Sequence, residues 1–107
     1  MNTNHLFLVD CFLQQTNHFE ALELLANDPQ KLKIGAELQL VNEENKVYAE
    51  KDKKKIGLLS DEDAKPIINY LKMNWKENLF ECRISKYDEK ADENKRFSIA
   101  IYIKKAP

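Results

Sequence analysis

The chain has 107 residues, enough for one domain spanning residues 1–107. Its 17 basic and 18 acidic residues leave a net charge of -1, which excludes a molecule-wide positive field that would attract nucleic acid. The charge is unevenly distributed, since residues 1–30 contain no Lys or Arg and residues 31–59 contain seven Lys and five acidic residues. One region of the fold is therefore expected to be locally basic.

The apolar segments are too short for a membrane span or the core of a secretory signal. The longest apolar run near the start covers residues 6–9. Cys11 and Cys82 lie within apolar strand patterns and are far apart in sequence. We expect two buried free thiols in a reduced cytoplasm, and a disulfide is the open alternative.

The first strand and the first helix come before residue 30. Residues 6–14 read as a strand with two largely apolar faces, so we expect another element to cover the second face. Asn17 followed by Glu20 resembles a capping box and predicts a helix that runs to about Ala26. The residues expected to end it are Asn27, Asp28 and Pro29. Gly35 then precedes the second strand, where a residue free to adopt positive φ suits a tight turn.

Residues 36–60 alternate apolar and polar side chains in three short runs, the pattern of half-buried strands. The apolar positions of these runs are Leu38 and Leu40, Val47 and Ala49, and Ile56 and Leu58. A polar turn at residues 42–45 separates the first two runs, and a lysine-rich turn at residues 51–55 separates the last two. We therefore predict a three-stranded meander with one basic tip.

A second helix and two further strands follow the meander. Ser60 with Asp63 predicts a helix start, but Pro66 disfavours a continuous helix, so we expect a short first turn or a helix proper that begins near Pro66. The apolar stripe of this helix is Ile67, Ile68, Leu71 and Trp75. Residues 80–85 and 97–104 alternate as the fifth and sixth strands, and the charged segment 88–96 predicts a solvated, mobile loop. The order of elements indicates a mainly β fold with two helices (α+β), a small six-stranded, partly closed antiparallel barrel.

The sequence contains no recognisable catalytic or metal-binding pattern. His5 and His18 are the available imidazoles, and neither belongs to a nucleophile pattern. A zinc site needs closely spaced Cys and His ligands, and a phosphate cradle needs a glycine-rich loop, whereas Gly35 and Gly57 are isolated. We therefore expect a non-enzymatic protein without a metal or cofactor.

Binding is the remaining class of function, and it points to the lysines of the meander. These are Lys46, Lys51, Lys53, Lys54 and Lys55, with Tyr48 on the strand among them. Basic side chains that follow a phosphate backbone, beside an aromatic face that stacks a base, are what single-strand binding requires. The alternative is that a lysine-rich turn keeps the protein in solution and protects a sheet edge from pairing.

The order of these segments resembles that of the HIRAN domain, a module of certain helicase-like chromatin and repair ATPases and of free-standing small bacterial proteins. The segments that carry the resemblance are residues 32–41 (LKIGAELQLV), 54–59 (KKIGLL), 79–84 (LFECRI) and 97–104 (FSIAIYIK). The resemblance implies a β-barrel module that binds single-stranded DNA ends and has no motor of its own. Gly57 suits such a barrel, since a side chain at a bend would collide with a neighbouring strand.

The chain departs from this family between its second and third strands. Family members usually carry a Glu-Pro-x-Asn-Pro-x-Asp-x-Asn-Ala-Ile type segment there, which helps hold the 3′ end of DNA. Here Glu43 matches the Glu, Asn45 one Asn and Val47 the later aliphatic residue, while both prolines and the Asp of the segment are absent. The resemblance thus adds Asn45 to the candidate residues and implies that backbone contacts through Lys54 and Lys55 survive without recognition of the end.

Two functions follow from these expectations. The first is a non-catalytic module that binds single-stranded DNA through the basic hairpin. The second is a protein-interaction module that kept the barrel and lost the DNA pocket. Its feature is the second face of the first strand, where Leu6, Leu8 and Phe12 would form an exposed patch unless a helix covers them.

Overall fold

The computed structural model describes residues 5–72 and 80–104. Six antiparallel strands form one sheet in the order β1-β6-β5-β2-β3-β4, and the sheet curls into a half-barrel with two α-helices. This confirms the predicted α+β fold with a partly closed barrel. The elements are β1 His5–Phe12, α1 Ala21–Asn27, β2 Glu37–Glu43, β3 Lys46–Lys51, β4 Lys54–Leu58, α2 Asp61–Lys72, β5 Phe80–Tyr87 and β6 Phe97–Lys104, with 3-10 turns at Thr16–His18 and Pro29–Leu32.

The core consists of the inward-facing residues of the alternating strands. In β5 these are Phe80, Cys82 and Ile84, and in β6 they are Phe97, Ile99, Ile101 and Ile103. The three runs of the meander also fold as predicted, with Val47, Ala49 and Ile56 fully buried. Burial of a branched aliphatic side chain contributes roughly 1.5 to 3 kcal/mol, so these strands supply much of the driving force for folding.

The first strand is less completely covered than the sequence suggested. Cys11 and Leu13 face the core and are buried, but Phe12 on the opposite face is 42% exposed and Leu8 is half-buried. A register shift between Phe7 and Val9 marks a bulge in the pairing of β1 with β6. Among the described residues, the second face of β1 is therefore only partly covered.

The half-barrel closes where the chain beyond β1 meets β4. Gln14 and Leu58 exchange two backbone hydrogen bonds, of 2.7 and 3.2 Å. Gly57 lies beside this bridge, and a Cβ atom added to it would come within 3.1 Å of both the carbonyl oxygen of Gln14 and the Cβ of Leu13. A side chain here would therefore be in tight contact with the segment after β1, which agrees with the predicted steric reason for glycine at this bend.

A short ladder between β2 and β5 joins the two halves of the sheet. Its register pairs are Glu37 with Arg83 and Leu38 with Cys82. Two further backbone bonds extend it, because Ile84 accepts from the amide of Gly35 and donates to Ala36. Gly35 has φ of +89°, which confirms the predicted use of positive φ at the start of the second strand.

The first helix begins later than the capping-box prediction placed it. Residues Thr16–His18 form a 3-10 turn, and α1 starts at Ala21, where Glu20 makes no side-chain cap. The side chain of Asn17 instead accepts a hydrogen bond from Arg96. The predicted capping box is therefore wrong, because a residue distant in sequence takes the Asn17 side chain. The end of the helix at Asn27 agrees with the prediction.

The second helix is continuous in spite of Pro66. It starts at Ser60 as predicted, since the Asp63 amide donates to the Ser60 hydroxyl oxygen at 3.2 Å and that hydroxyl donates to the Asp63 carboxylate. The expected interruption is absent: α2 runs over Asp61–Lys72 with Pro66 inside it. Proline removes the donor for the Glu62 carbonyl, and both residues are exposed, so water can satisfy that oxygen. Ile67 is buried, and Trp75 lies outside the described residues.

The loop between β5 and β6 is anchored to the start of the 3-10 turn. Both the amide and the hydroxyl of Thr16 donate to the Glu93 carbonyl, at 3.3 and 2.8 Å, and the Gln15 amide donates to Asn94. The Arg96 guanidinium also donates to the carbonyl of Ala91. The loop is solvated as predicted, since most of residues 88–96 are exposed, but it is also bonded to a segment that is distant in sequence.

Both cysteines of the chain are buried. Cys11 and Cys82 are free thiols. In the described part of the chain, no helix has the length and apolarity needed to cross a membrane.

Candidate nucleic-acid interface

The hairpin of β3 and β4 is closed by the two-residue turn Asp52–Lys53. These residues have φ of 53° and 68°, as a type I′ turn requires. Positive φ costs a residue with a side chain roughly 1 to 2 kcal/mol, and neither turn residue is glycine. The tight turn places Lys51 opposite Lys54 in the strand register. It therefore concentrates three lysines, Lys51, Lys53 and Lys54, and we call this group the lysine tip.

The alternation of β3 divides its side chains between the core and the outside. Val47 and Ala49 are buried, whereas Tyr48 lies on the opposite face between Lys46 and Glu50. Lys46 is paired in register with Glu43 of β2, and Glu50 with Lys55 of β4. The outer surface of the meander therefore mixes lysines with carboxylates.

Carboxylates neutralise two of the five lysines that the sequence singled out. Lys46 lies 3.3 Å from a carboxylate oxygen of Asp61, and Lys55 lies 2.8 Å from one of Glu43. The hydrogen bond from Lys55 to Glu43 raises the pKa of the Lys55 ammonium. The five lysines of this hairpin are therefore not equivalent, because carboxylates of β2 and α2 pair with two of them.

The lysine tip has no such partners among the described residues. The Lys51 ammonium donates to the main-chain carbonyl of Glu37 at 3.1 Å and forms no ion pair with a described carboxylate, although Lys51 and Lys54 lie close enough to Asp52 to help lower the pKa of its carboxyl. Lys53 and Lys54 form no ion pair with any described carboxylate. The nearby Asp52 is paired with Lys31 at 2.7 Å, and this hydrogen bond lowers the pKa of the Asp52 carboxyl. The positive charge of the meander is thus concentrated at its tip.

Tyr48 is less open for stacking than the sequence suggested. It is half-buried, with the Lys55 ammonium 4.7 Å from the centre of its ring and the ring of Phe19 in a T-shaped pair with it at 5.8 Å between centroids. Phe19 was not among the site candidates that the sequence singled out, and its position beside the hairpin was missed. Its signal in the sequence was weak, because only the 3-10 turn brings Phe19 to the meander.

Asn45 and Lys46 lie at the far end of β3 from the lysine tip. Asn45 belongs to the turn Glu44–Asn45, which has φ of 52° and 64°, and it lies beside Asp61 and Lys65 of α2. The six residues of β3 place the two turns about 20 Å apart at about 3.3 Å per residue. The predicted site residues are therefore spread along β3 and β4, and among them only Lys53 and Lys54 carry a charge without an ion-pair partner in the described residues.

No family model, curated protein or solved structure matches this chain. The functional argument accordingly depends on the geometry of the hairpin and its neighbours. Within residues 5–72 and 80–104, no group of three or more His, Cys, Asp or Glu side chains is placed to hold a metal ion.

Proposed function

We propose that this chain is a non-catalytic module that binds single-stranded nucleic acid, DNA in the first instance, through the lysine tip. The observation that supports the proposal is the presence of three lysines without carboxylate partners on one tight hairpin. Phosphate groups of a nucleic acid would supply the missing counter-charges and release bound cations on doing so. The two free thiols agree with a cytoplasmic setting.

Single strands are favoured over duplexes because aromatic residues lie next to the charged group. Phe19 and Tyr48 pack together on the face from which Lys55 extends. Unpaired bases stack on such rings, whereas the bases of a duplex are already stacked on each other. With a net charge of -1 and two lysines neutralised, we expect the binding to be weak and sensitive to salt.

We further propose that the barrel is of the HIRAN type without the family's end-binding segment. The half-barrel with Gly57 at its closure is compatible with that resemblance. The segment between β2 and β3 is a two-residue turn, Glu44–Asn45, which leaves no long loop to surround a DNA end. Contacts along the backbone, through Lys54 and its neighbours in the tip, are therefore the part of the family's function that we assign here.

Replacing the lysine tip by alanine should flatten the salt dependence of binding. Each phosphate contact on a single strand contributes a slope of about 0.7 in log K against log salt, so the triple variant K51A/K53A/K54A should lose about 2 units of slope. The measurement is fluorescence anisotropy with a labelled dT oligonucleotide at several salt concentrations.

A matched control removes the same charge from the other hairpin. The variant K86A/K90A/K95A changes three lysines on and beside the loop joining β5 to β6, where basic and acidic residues are equal in number over residues 86–96. We expect its salt slope to stay close to that of the parent protein. Equal losses in the two variants, or no anisotropy change for the parent at low salt, would contradict the proposal.

A second candidate function, protein interaction, is favoured by the exposure of Phe12. This side chain is 42% exposed on β1, which is an edge strand with a half-buried Leu8 nearby. If this edge pairs with another protein chain, F12S should abolish the association. Light scattering coupled to size exclusion checks the case of self-association, and a concentration-independent monomer in both proteins would count against it.

A further inference from the structure

A cleft of about 430 Å³ lies between the 3-10 turn Thr16–His18 and the basic hairpin. Its volume is within the range of about 300 to 1,000 Å³ that is common for small-ligand sites. None of its residues outside the hairpin was a candidate from the sequence. The side chains that line it are His18, Phe19, Glu20, Glu50, Lys53 and Lys55.

The two walls of this cleft are fixed to each other. The backbone amide of Glu20 donates to the carbonyl of Lys55 at 2.9 Å, and the rings of Phe19 and Tyr48 form a T-shaped pair. The Lys55 side chain is held by Glu43 and by the Tyr48 ring. The cleft is therefore preformed and does not require a ligand to create it.

The cleft combines a cation, an aromatic ring and hydrogen-bond acceptors. Lys53 at the turn has no carboxylate partner among the described residues, and Phe19 offers a half-buried ring. The carboxylates of Glu20 and Glu50 accept no hydrogen bond from another described residue, although Glu50 is close enough to Lys55 to help raise its pKa. A ligand that carries a phosphate, a flat ring and N–H donors matches all three.

We infer that this cleft selects guanine among the bases of a single strand that the lysine tip binds. Guanine presents two neighbouring N–H donors, at N1 and N2, which can bond to one carboxylate together, and such paired charge-assisted bonds are the strong ones. Thymine has a single N–H between two carbonyl oxygens, which a carboxylate repels. Bases of single strands are read in this way, by stacking and by bonds to their exposed edges. The inference rests on the proposed binding of single strands.

Two labelled 12-mers test this preference. One is dT12, and the other carries three isolated dG residues in a dT background, which prevents association of guanines with each other. We expect the parent protein to bind the dG-containing 12-mer about fivefold more tightly, the lower end of the discrimination given by a bidentate contact to a base. Equal binding of the two oligonucleotides would overturn the inference and leave the lysine tip in place, whereas binding of neither would overturn both.

The variant E20Q/E50Q distinguishes recognition of guanine by these carboxylates from simple electrostatic repulsion between them and the DNA. Loss of two negative charges should tighten the binding of both oligonucleotides, while the ratio of their dissociation constants should fall to about one, since an amide cannot replace the bidentate carboxylate. The control E23Q/E62Q removes two carboxylates that are exposed elsewhere, on α1 and α2, and should keep the fivefold ratio. A ratio that survives in E20Q/E50Q would assign the preference to other residues and overturn the inference.

Discussion

Replacement of Gly57 by alanine should lower the free energy of unfolding by about 2 kcal/mol, and replacement by leucine should lower it further. The added Cβ would lie 3.1 Å from the Gln14 carbonyl oxygen and from the Leu13 Cβ, and 3.2 Å from the Thr16 methyl group. Leu13 is fully buried, so it cannot move away without disturbing the core. The cost should therefore grow with the size of the side chain. Urea denaturation followed by far-ultraviolet circular dichroism measures it.

Gly35 provides the matched control, because the loss of stability on replacing it has a different physical origin. Its φ is +89°, but no atom lies within 4 Å of an added Cβ. Alanine there should cost about 1 to 2 kcal/mol for the backbone conformation alone, and leucine should cost little more. Similar dependence on side-chain size at the two positions, or a G57A variant as stable as the parent, would show that the barrel closure tolerates a side chain.

The second large effect is a loss of stability at alkaline pH caused by the two cysteines. Burial, aided by the carboxylates of Asp63 and Asp10, raises the pKa of the Cys11 thiol to about 12. Burial also raises the pKa of Cys82, with a further contribution from Cys11. The ordinary value for a thiol is near 9. Both thiols therefore stay protonated in the folded protein at a pH where they ionise in the unfolded chain.

The sign of the pH dependence follows from this difference. The folded state binds more protons than the unfolded state between pH 9 and the raised values, so the stabilisation is complete below pH 9 and is lost as the pH rises. From pH 8 to pH 10 each thiol should remove about 1 to 2 kcal/mol, or about 3 kcal/mol for the pair. Urea denaturation at a series of pH values measures this loss.

The variant C11A/C82A serves as the comparison for the alkaline effect. Its stability at pH 8 will be lower because cavities replace the sulfur atoms, but that offset is the same at every pH. The informative quantity is the slope of the free energy of unfolding against pH between pH 8 and pH 10, which should be shallower in the variant. Parallel slopes would mean that the thiols do not take part, and that tyrosines and lysines account for the whole dependence.

The sequence predicted the strands well because their period is a local property. Alternation in residues 36–60 and 97–104 can be recognised without knowledge of the partner strands. The apolar positions that it predicted in these two segments, such as Leu38 and Ile103, are buried. Pro66 shows the limit of such local reasoning. Whether a helix tolerates proline depends on what surrounds the carbonyl it leaves without a donor, and here Glu62 is exposed.

The candidate site was only partly predictable, since charge compensation is a tertiary property. Composition identifies the lysines, but the pairing of Lys46 with Asp61 and of Lys55 with Glu43 depends on how α2 and β2 lie beside the hairpin. The position of Phe19 likewise depends on the 3-10 turn that precedes α1. The sequence therefore located the basic hairpin, whereas the structure reduced it to the lysine tip.

The short ladder between β2 and β5 bears on how the molecule responds to stress. Two register pairs, with the bonds around Ile84, join β5 to the meander on one side, and the bridge between Gln14 and Leu58 joins the chain beyond β1 to it on the other. The side chains of both halves also share one hydrophobic core. Parts of a protein open together only as far as the interactions between them allow, so these halves should open as one cooperative unit. A partner that binds the meander would therefore slow amide exchange in the other half as well.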